Sequence, residues 1–216
     1  MRCLAPVSLI LLLLSACGSP YKRLLPAAGA AKGADILKFK PHFPAFQKEV
    51  YRCHVDGRFL FKSFHLSGLL LFKNYENGET RVLFSNEMGF TFFDFGWDAS
   101  DSFKVNSIIE QLNRPALVRT LRKDLELLLL KNIQSSLPLR DKDTLYYQVP
   151  LAKGNAYYIA DATKLLRIEV AGRKKVATIY SSGYGAVGSM ADSISIVHHK
   201  ANFTIEAKKI INAIAD

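Results

Sequence analysis

Cysteine is scarce in this 216-residue chain, which holds only Cys3, Cys17 and Cys53, none of them spaced as C-x-x-C. That count and spacing exclude a disulfide-stapled scaffold and a cysteine-built zinc site. Long apolar runs are missing too. The N-terminal one, Val7 to Leu14 with Ser8 inside it, falls well short of the ~20 residues that a membrane-spanning helix needs. The five histidines (His42, His54, His65, His198, His199) make no H-x-H or H-E-x-x-H spacing, so no metal site is legible. No serine sits in a G-x-S-x-G elbow. Carboxylates are few and fall mostly in turns, with Asp94 between Phe93 and Phe95 the odd one out. No catalytic residue, metal or cofactor is therefore assigned, and the chain reads as a non-enzyme. Acidic residues are the minority, 19 against 29 Lys and Arg, for a net charge of +10. The basic residues are scattered. Their longest run, Arg173-Lys174-Lys175 beside Gly172, reads as a solvated hairpin turn.

What is present begins at the N-terminus. Arg2, a short apolar segment and the small-residue site Leu14-Ser15-Ala16-Cys17 follow in the order of a secretory signal. Ending in cysteine, that site resembles the lipobox of bacterial lipoproteins. The resemblance implies a signal peptide over residues 1–16 and acylation of Cys17. Two or more acyl chains, at ~0.8 kcal/mol per buried CH₂, hold a protein stably at a bilayer without spanning it. Gly18 in place of an aspartate after the cysteine implies the outer membrane, with the domain in the periplasm. On an exported, anchored chain the positive balance suits anionic lipid head groups, not nucleic acid. Cys53 is then the one cysteine left, and in its alternating stretch it reads as a small buried apolar residue.

Composition, 49% hydrophobic and 22% charged, is that of one ordinary globular domain. Residues 17–47, rich in Ala, Gly and Pro without periodicity, read as the acylated cysteine and a flexible tether, and 48–216 as the domain. From Glu49 the apolar residues recur every second position, through Tyr51, Cys53 and Val55. Strands are predicted over 58–64, 66–74, 80–85 and 90–97, with turns at Glu76-Asn77-Gly78-Glu79 and Asn86-Glu87-Met88-Gly89. Leu69 to Phe72, and Phe92-Phe93, place apolar groups on both faces, so an apolar cover is expected on the second side. Ser107-Ile108-Ile109-Glu110 matches a capping box and predicts a short helix start. Pro115 opens the main helix, to about Lys131, with Leu117, Leu121, Leu125, Leu128 and Leu129 on one stripe and Arg119, Arg122, Lys123 and Glu126 opposite. Strands return over 144–149, 156–160, 165–171, 174–181, 193–200 and 202–207, and Ile210, Ile211 and Ile214 suggest a terminal turn.

Gly183-Tyr184-Gly185-Ala186-Val187-Gly188 fits G-x-G-x-x-G. With no room for a helix before the next strand, it reads as a loop and not as a nucleotide site. His198-His199 lies in a strand, so its rings point to opposite faces, and both read as partly exposed. Asn202-Phe203-Thr204 matches a glycosylation sequon by chance.

The order of elements resembles the LolA/LolB superfamily of periplasmic carriers and outer-membrane acceptors of lipoproteins, especially its DUF4292-like lipoproteins. It comprises a lipobox, a tether, an antiparallel meander, helices over its middle, and strands ending in Ser193-Ile194-Ser195-Ile196…Asn202-Phe203-Thr204-Ile205. The resemblance implies a mainly β (α+β) fold, an antiparallel unclosed β-barrel of about eleven strands with a helical lid inserted mid-chain. It also implies an apolar cavity for lipid or lipoprotein acyl chains. By alternation, Leu70 and Phe72, Val82 and Phe84, and Phe90 and Phe92 are expected to face that cavity, with Leu121 and Leu125 above them. Side chains filling the space, in an accessory subunit of an envelope complex, are the alternative. An envelope hydrolase is a third. Replacing the acylated residue tests the anchor. Cys17→Ala should move the protein from the membrane fraction to the soluble periplasm, and unchanged partitioning in detergent-free fractionation would refute the lipobox.

Overall fold

Period-two alternation builds nearly everything in this chain. In the computed structural model, which describes residues 21–27, 46–59, 62–133, 135–161, 165–184 and 190–210, thirteen strands form one sheet. The strands are β1 (Leu25–Pro26), β2 (Lys48–Phe59), β3 (Lys62–Asn74), β4 (Thr80–Ser85), β5 (Thr91–Trp97), β6 (Phe103–Ile108), β7 (Leu137–Asp141), β8 (Thr144–Pro150), β9 (Asn155–Ala160), β10 (Leu165–Ala171), β11 (Lys175–Tyr184), β12 (Ala191–His198) and β13 (Phe203–Lys209). Among the described residues one helix, α1 (Pro115–Leu128), stands between β6 and β7. The lipobox, the remainder of the expected tether, residues 185–188 of the glycine motif, and Ile211 and Ile214 lie outside the described residues.

Both expected turns close as the sequence asks. Gly78 and Gly89 sit at φ 82° and 85°, a left-handed backbone that a side chain would strain. The Asn86 side-chain oxygen accepts the N–H groups of Met88 and Phe90 at 3.0 and 2.8 Å and so shapes the second turn.

Every neighbouring pair is antiparallel, in the order β1-β7-β8-β9-β10-β11-β12-β13-β2-β3-β4-β5-β6. Two meanders, β2–β6 and β7–β13, are thus joined where β13 pairs with β2, and α1 connects their far ends. The end strands β1 and β6 do not pair with each other, so where an unclosed barrel of about eleven strands was expected there is one open sheet of thirteen. Residues 48–74, expected as three strands, form two long ones, while β1, β6 and β7 are additional. Ser107 of the apparent capping box lies in β6, and no helix starts there.

The sheet curls strongly. Trp97 of β5 donates its indole N–H to Glu126 at 3.1 Å, and Tyr158 of β9 donates its hydroxyl to the Leu127 carbonyl at 2.8 Å. Those strands lie eight places apart in the sheet, roughly 38 Å if it were flat. Adjacent helix residues touch both, so the sheet wraps around α1.

The helix begins at Pro115, as expected, with Arg114 extended before it, and ends at Leu128, short of Lys131. Leu121, Leu125 and Leu128 are buried and Leu117 and Leu129 half-buried, while Arg119 is exposed. α1 lies on the face that carries Leu70, Phe72 and Phe84. On the opposite face Val50, Leu71 and Leu83 sit side by side in register, each half-buried by its neighbours. Elsewhere on the outer surface, residues 21–27 of the expected tether lie against the sheet. Tyr21 stacks on Tyr157 with ring centroids 3.8 Å apart and donates its hydroxyl to Glu169. It covers a second apolar cluster of Leu139, Tyr157, Ile159 and Ala171.

Charge placed on the buried stripe should therefore be costly. Leu121→Asp or Leu125→Asp should destabilise by about 3 kcal/mol or more, lowering Tm by roughly 10 °C. Arg119→Gln should cost under about 0.5 kcal/mol. Calorimetry compares them, and equal melting temperatures would refute the stripe. Arg122 is a poorer control, because it pairs with Glu126 at 2.8 Å and lies 4.8 Å over the Phe103 ring.

Candidate apolar binding cleft

Strand alternation aims Cys53, Leu70, Phe72 and Phe84 at α1, whose own Leu121 and Leu125 point back at them. The space left between is small. About 50 Å³ remains open beneath the helix, room for a few water-sized groups. Side chains fill most of this interior.

The space widens toward the N-terminal half of α1. There a cleft of about 650 Å³ opens to the surface, walled by Phe64, Leu66, Phe90, Ile109, Leu112 and Leu117. Arg58, Gln111, Arg114 and Thr120 also line it. Phe64, Leu66, Leu112, Leu117 and Phe203 line both cleft and interior, so the two are one continuous apolar depression. Its volume is in the usual range for sites that hold small molecules.

Of the residues expected to face a cavity, Leu70, Phe72, Phe84, Leu121 and Leu125 line the narrow interior, and Phe90, 57% exposed, stands at the cleft. Val82 is fully buried but lines neither space. Phe92 lines neither. A register shift pairs Phe84 with Phe93 but Ser85 with Thr91, leaving Phe92 as the extra residue of a β-bulge, its ring 4.8 Å from that of Phe84. Alternation counted from Phe90 therefore picks the wrong partner, and the buried aromatics of β5 are Phe93, Phe95 and Trp97. Phe64, Leu66, Ile109 and Leu112 escaped the sequence reading. Ile109 and Leu112 were concealed by the apparent capping box, and the first two by division of one long strand into two.

One ionisable pair lies directly beneath α1. Asp124 of α1 accepts from or donates to His198 Nε2 across 2.6 Å, both side chains almost wholly buried, and the His198 ring stacks on Phe203 at 4.1 Å. His198 is thus buried, not partly exposed as expected. His199 falls in the turn just past β12, not in a strand as expected, and meets the Thr178 hydroxyl at 2.9 Å. Asp124 escaped the sequence analysis; the signal that could have found it is a lone acid within the apolar stripe Leu117, Leu121, Leu125, Leu128. Asp94, the odd acid of β5, is instead tied on the outer face by Arg81 and by the Asn106 amide at 3.1 Å. Among the described residues no three His, Cys, Asp or Glu side chains gather as metal ligands.

Cys53 is buried and lines the interior, as a small apolar residue would. Burial first, and Glu206 second, push its thiol up to about 12 from an ordinary 9.0. Its proton is held more tightly folded than unfolded, so the associated stability is complete below pH 9.0 and is lost as pH rises toward 12. At pH 8 a protein with Cys3 and Cys17 changed to Ser should resist thiol reagents until denatured. Rapid native labelling would refute the buried placement.

No family model matches the chain, and no curated protein matches it. Among solved structures, a Vibrio parahaemolyticus domain whose description suggests an outer membrane lipoprotein-sorting protein aligns over 82% of this chain and 89% of its own, at 11% identity and a TM-score of 0.46. A DUF1329 family protein from Desulfovibrio piger aligns over 80% and 88%, at 10% identity and a TM-score of 0.41. At that distance neither neighbour lends this chain a function.

Proposed function

We propose that this chain is a non-enzymatic lipid-binding lipoprotein of the LolA/LolB, DUF4292-like kind, anchored through Cys17 to the outer membrane with its domain in the periplasm. It holds an acyl chain, free or on a lipoprotein, in the cleft between the N-terminal half of α1 and the curled sheet. One observation carries the reading: a surface cleft of about 650 Å³, walled by apolar side chains and continuous with the core. A closed core offers no such opening, and apolar walls of this size suit alkyl chains. In this reading Phe64, Leu66, Phe90 and Leu117 contact most of the ligand. Leu70, Phe72, Phe84, Leu121 and Leu125 meet the leading end of the chain, with Val82 and Phe92 supporting from behind. Arg58 at the cleft and the net charge of +10 suit an anionic head group.

The accessory-subunit reading draws on a different feature. β6 ends the sheet, largely exposed, with Val105 42% open to solvent, and an unpaired strand edge can accept a partner's strand. Displacement of a dansyl-labelled fatty acid from the full chain carrying Cys17→Ala separates the two. Phe90→Asp and Leu117→Asp should weaken binding by about tenfold or more, with little loss of stability for the exposed Phe90. Phe84→Asp is unsuitable, since a charge on that buried ring would unfold the core. Wild-type protein that does not bind the probe, or variants that bind as well, would favour the accessory subunit.

A further inference from the structure

Among the described residues Asp124 is the only charged side chain lining the interior void beneath α1, all its neighbours there being apolar groups or the Cys53 thiol. Its side chain is 1% exposed. The Oδ2 atom lies 2.6 Å from His198 Nε2, and His198 is held in turn by stacking on Phe203. The Oδ1 atom, equally buried, has no hydrogen-bond partner among the described residues. A carboxylate oxygen in apolar surroundings is costly to leave without a donor. His198 fixes one oxygen, so the other is the one left for a ligand.

Size narrows the choice. The void of about 50 Å³ cannot contain an acyl chain, but it can take the end of one. Leu117, on the cleft wall, precedes Asp124 by seven residues, about 10 Å along the helix. A chain lying in the cleft can therefore thread its leading end to the carboxylate. A methyl end would leave Oδ1 unpaired. An O–H or N–H end would pair it.

We propose that Asp124 Oδ1 is the recognition group of this site, and that the ligand is an alkyl chain led by a hydrogen-bond donor, a hydroxyl or a primary amine. This rests on the acyl-chain reading of the cleft and sharpens it: plain chains bind, and donor-led chains bind better.

Competition against the dansyl-labelled fatty acid, again on the full chain with Cys17→Ala, tests it with three ligands of equal chain length. Decanol and decylamine should displace the probe at concentrations about tenfold below decyl methyl ether, the low end for a hydrogen bond to a charged acceptor. Preference for either donor upholds the proposal and shows whether the group is an alcohol or an amine. In D124L/H198L, which removes both partners together and leaves no lone buried charge, the ratio should fall to about one. Equal displacement by all three ligands in the wild type, as when water alone meets Oδ1, overturns the proposal while leaving the lipid-binding function intact. So does a preference that survives in D124L/H198L. If the probe does not bind at all, both readings fall. The wild-type ratio needs no substitution, so misfolding of the double variant cannot shield the idea.

Discussion

The pairing of β13 with β2 is the joint on which the molecule depends. Seven register pairs, from Phe203 opposite Gly57 to Lys209 opposite Tyr51, turn two separate meanders into one sheet. Each meander alone would leave a face of large apolar side chains in water. Joined and curled, they bring β5 and β9 to either side of the C-terminal end of α1, and one helix of 14 residues covers what two flat sheets would need several to cover. Fully burying side chains such as Phe72, Phe84, Phe95 and Trp97 contributes about 1.5–3 kcal/mol each. None of that is collected unless the termini of the domain meet in the middle of the sheet.

Much of this was legible. Strong alternation, as in Thr80–Ser85, gave strands where they are found, and the two glycine turns and Pro115 gave their ends. The three missed strands share a cause. β6 is mostly exposed, so its apolar residues do not alternate, and Ser107 with Glu110 imitates a helix start. β7 contains Pro138, which reads as a terminator, yet its carbonyl accepts the Ala27 N–H at 3.1 Å. β1 spans only two residues in a segment whose composition says linker. Local signals cannot report pairings whose stabilisation comes wholly from distant strands.

The cleft was half legible for the same reason. A leucine stripe specifies which helix face is buried, and alternation specifies which strand residues oppose it. Neither specifies how completely the two surfaces fill the space between them. That depends on the curl of the sheet and on one bulged residue, Phe92. A lone acid in the stripe could have marked Asp124, but its partner His198 lies 74 residues away and only the tertiary fold brings them together.

The position of the polar contacts on α1 has a mechanical consequence. Those described between helix and strands come from Asp124, Glu126 and Leu127, in its last two turns. Just past its end, Lys131 reaches Asp101 at 2.6 Å. Its first turns, with Ala116, Leu117 and Thr120, border the cleft. Directional bonds thus clamp the helix at its C-terminal end, while apolar side chains make up most of the wall beside its first turns. Apolar contact weakens on cooling, so the walls beside the cleft would loosen at temperatures where the clamp still holds. Widening the cleft then costs mainly apolar contact area, and the mouth can fit itself to its occupant while the core keeps its shape.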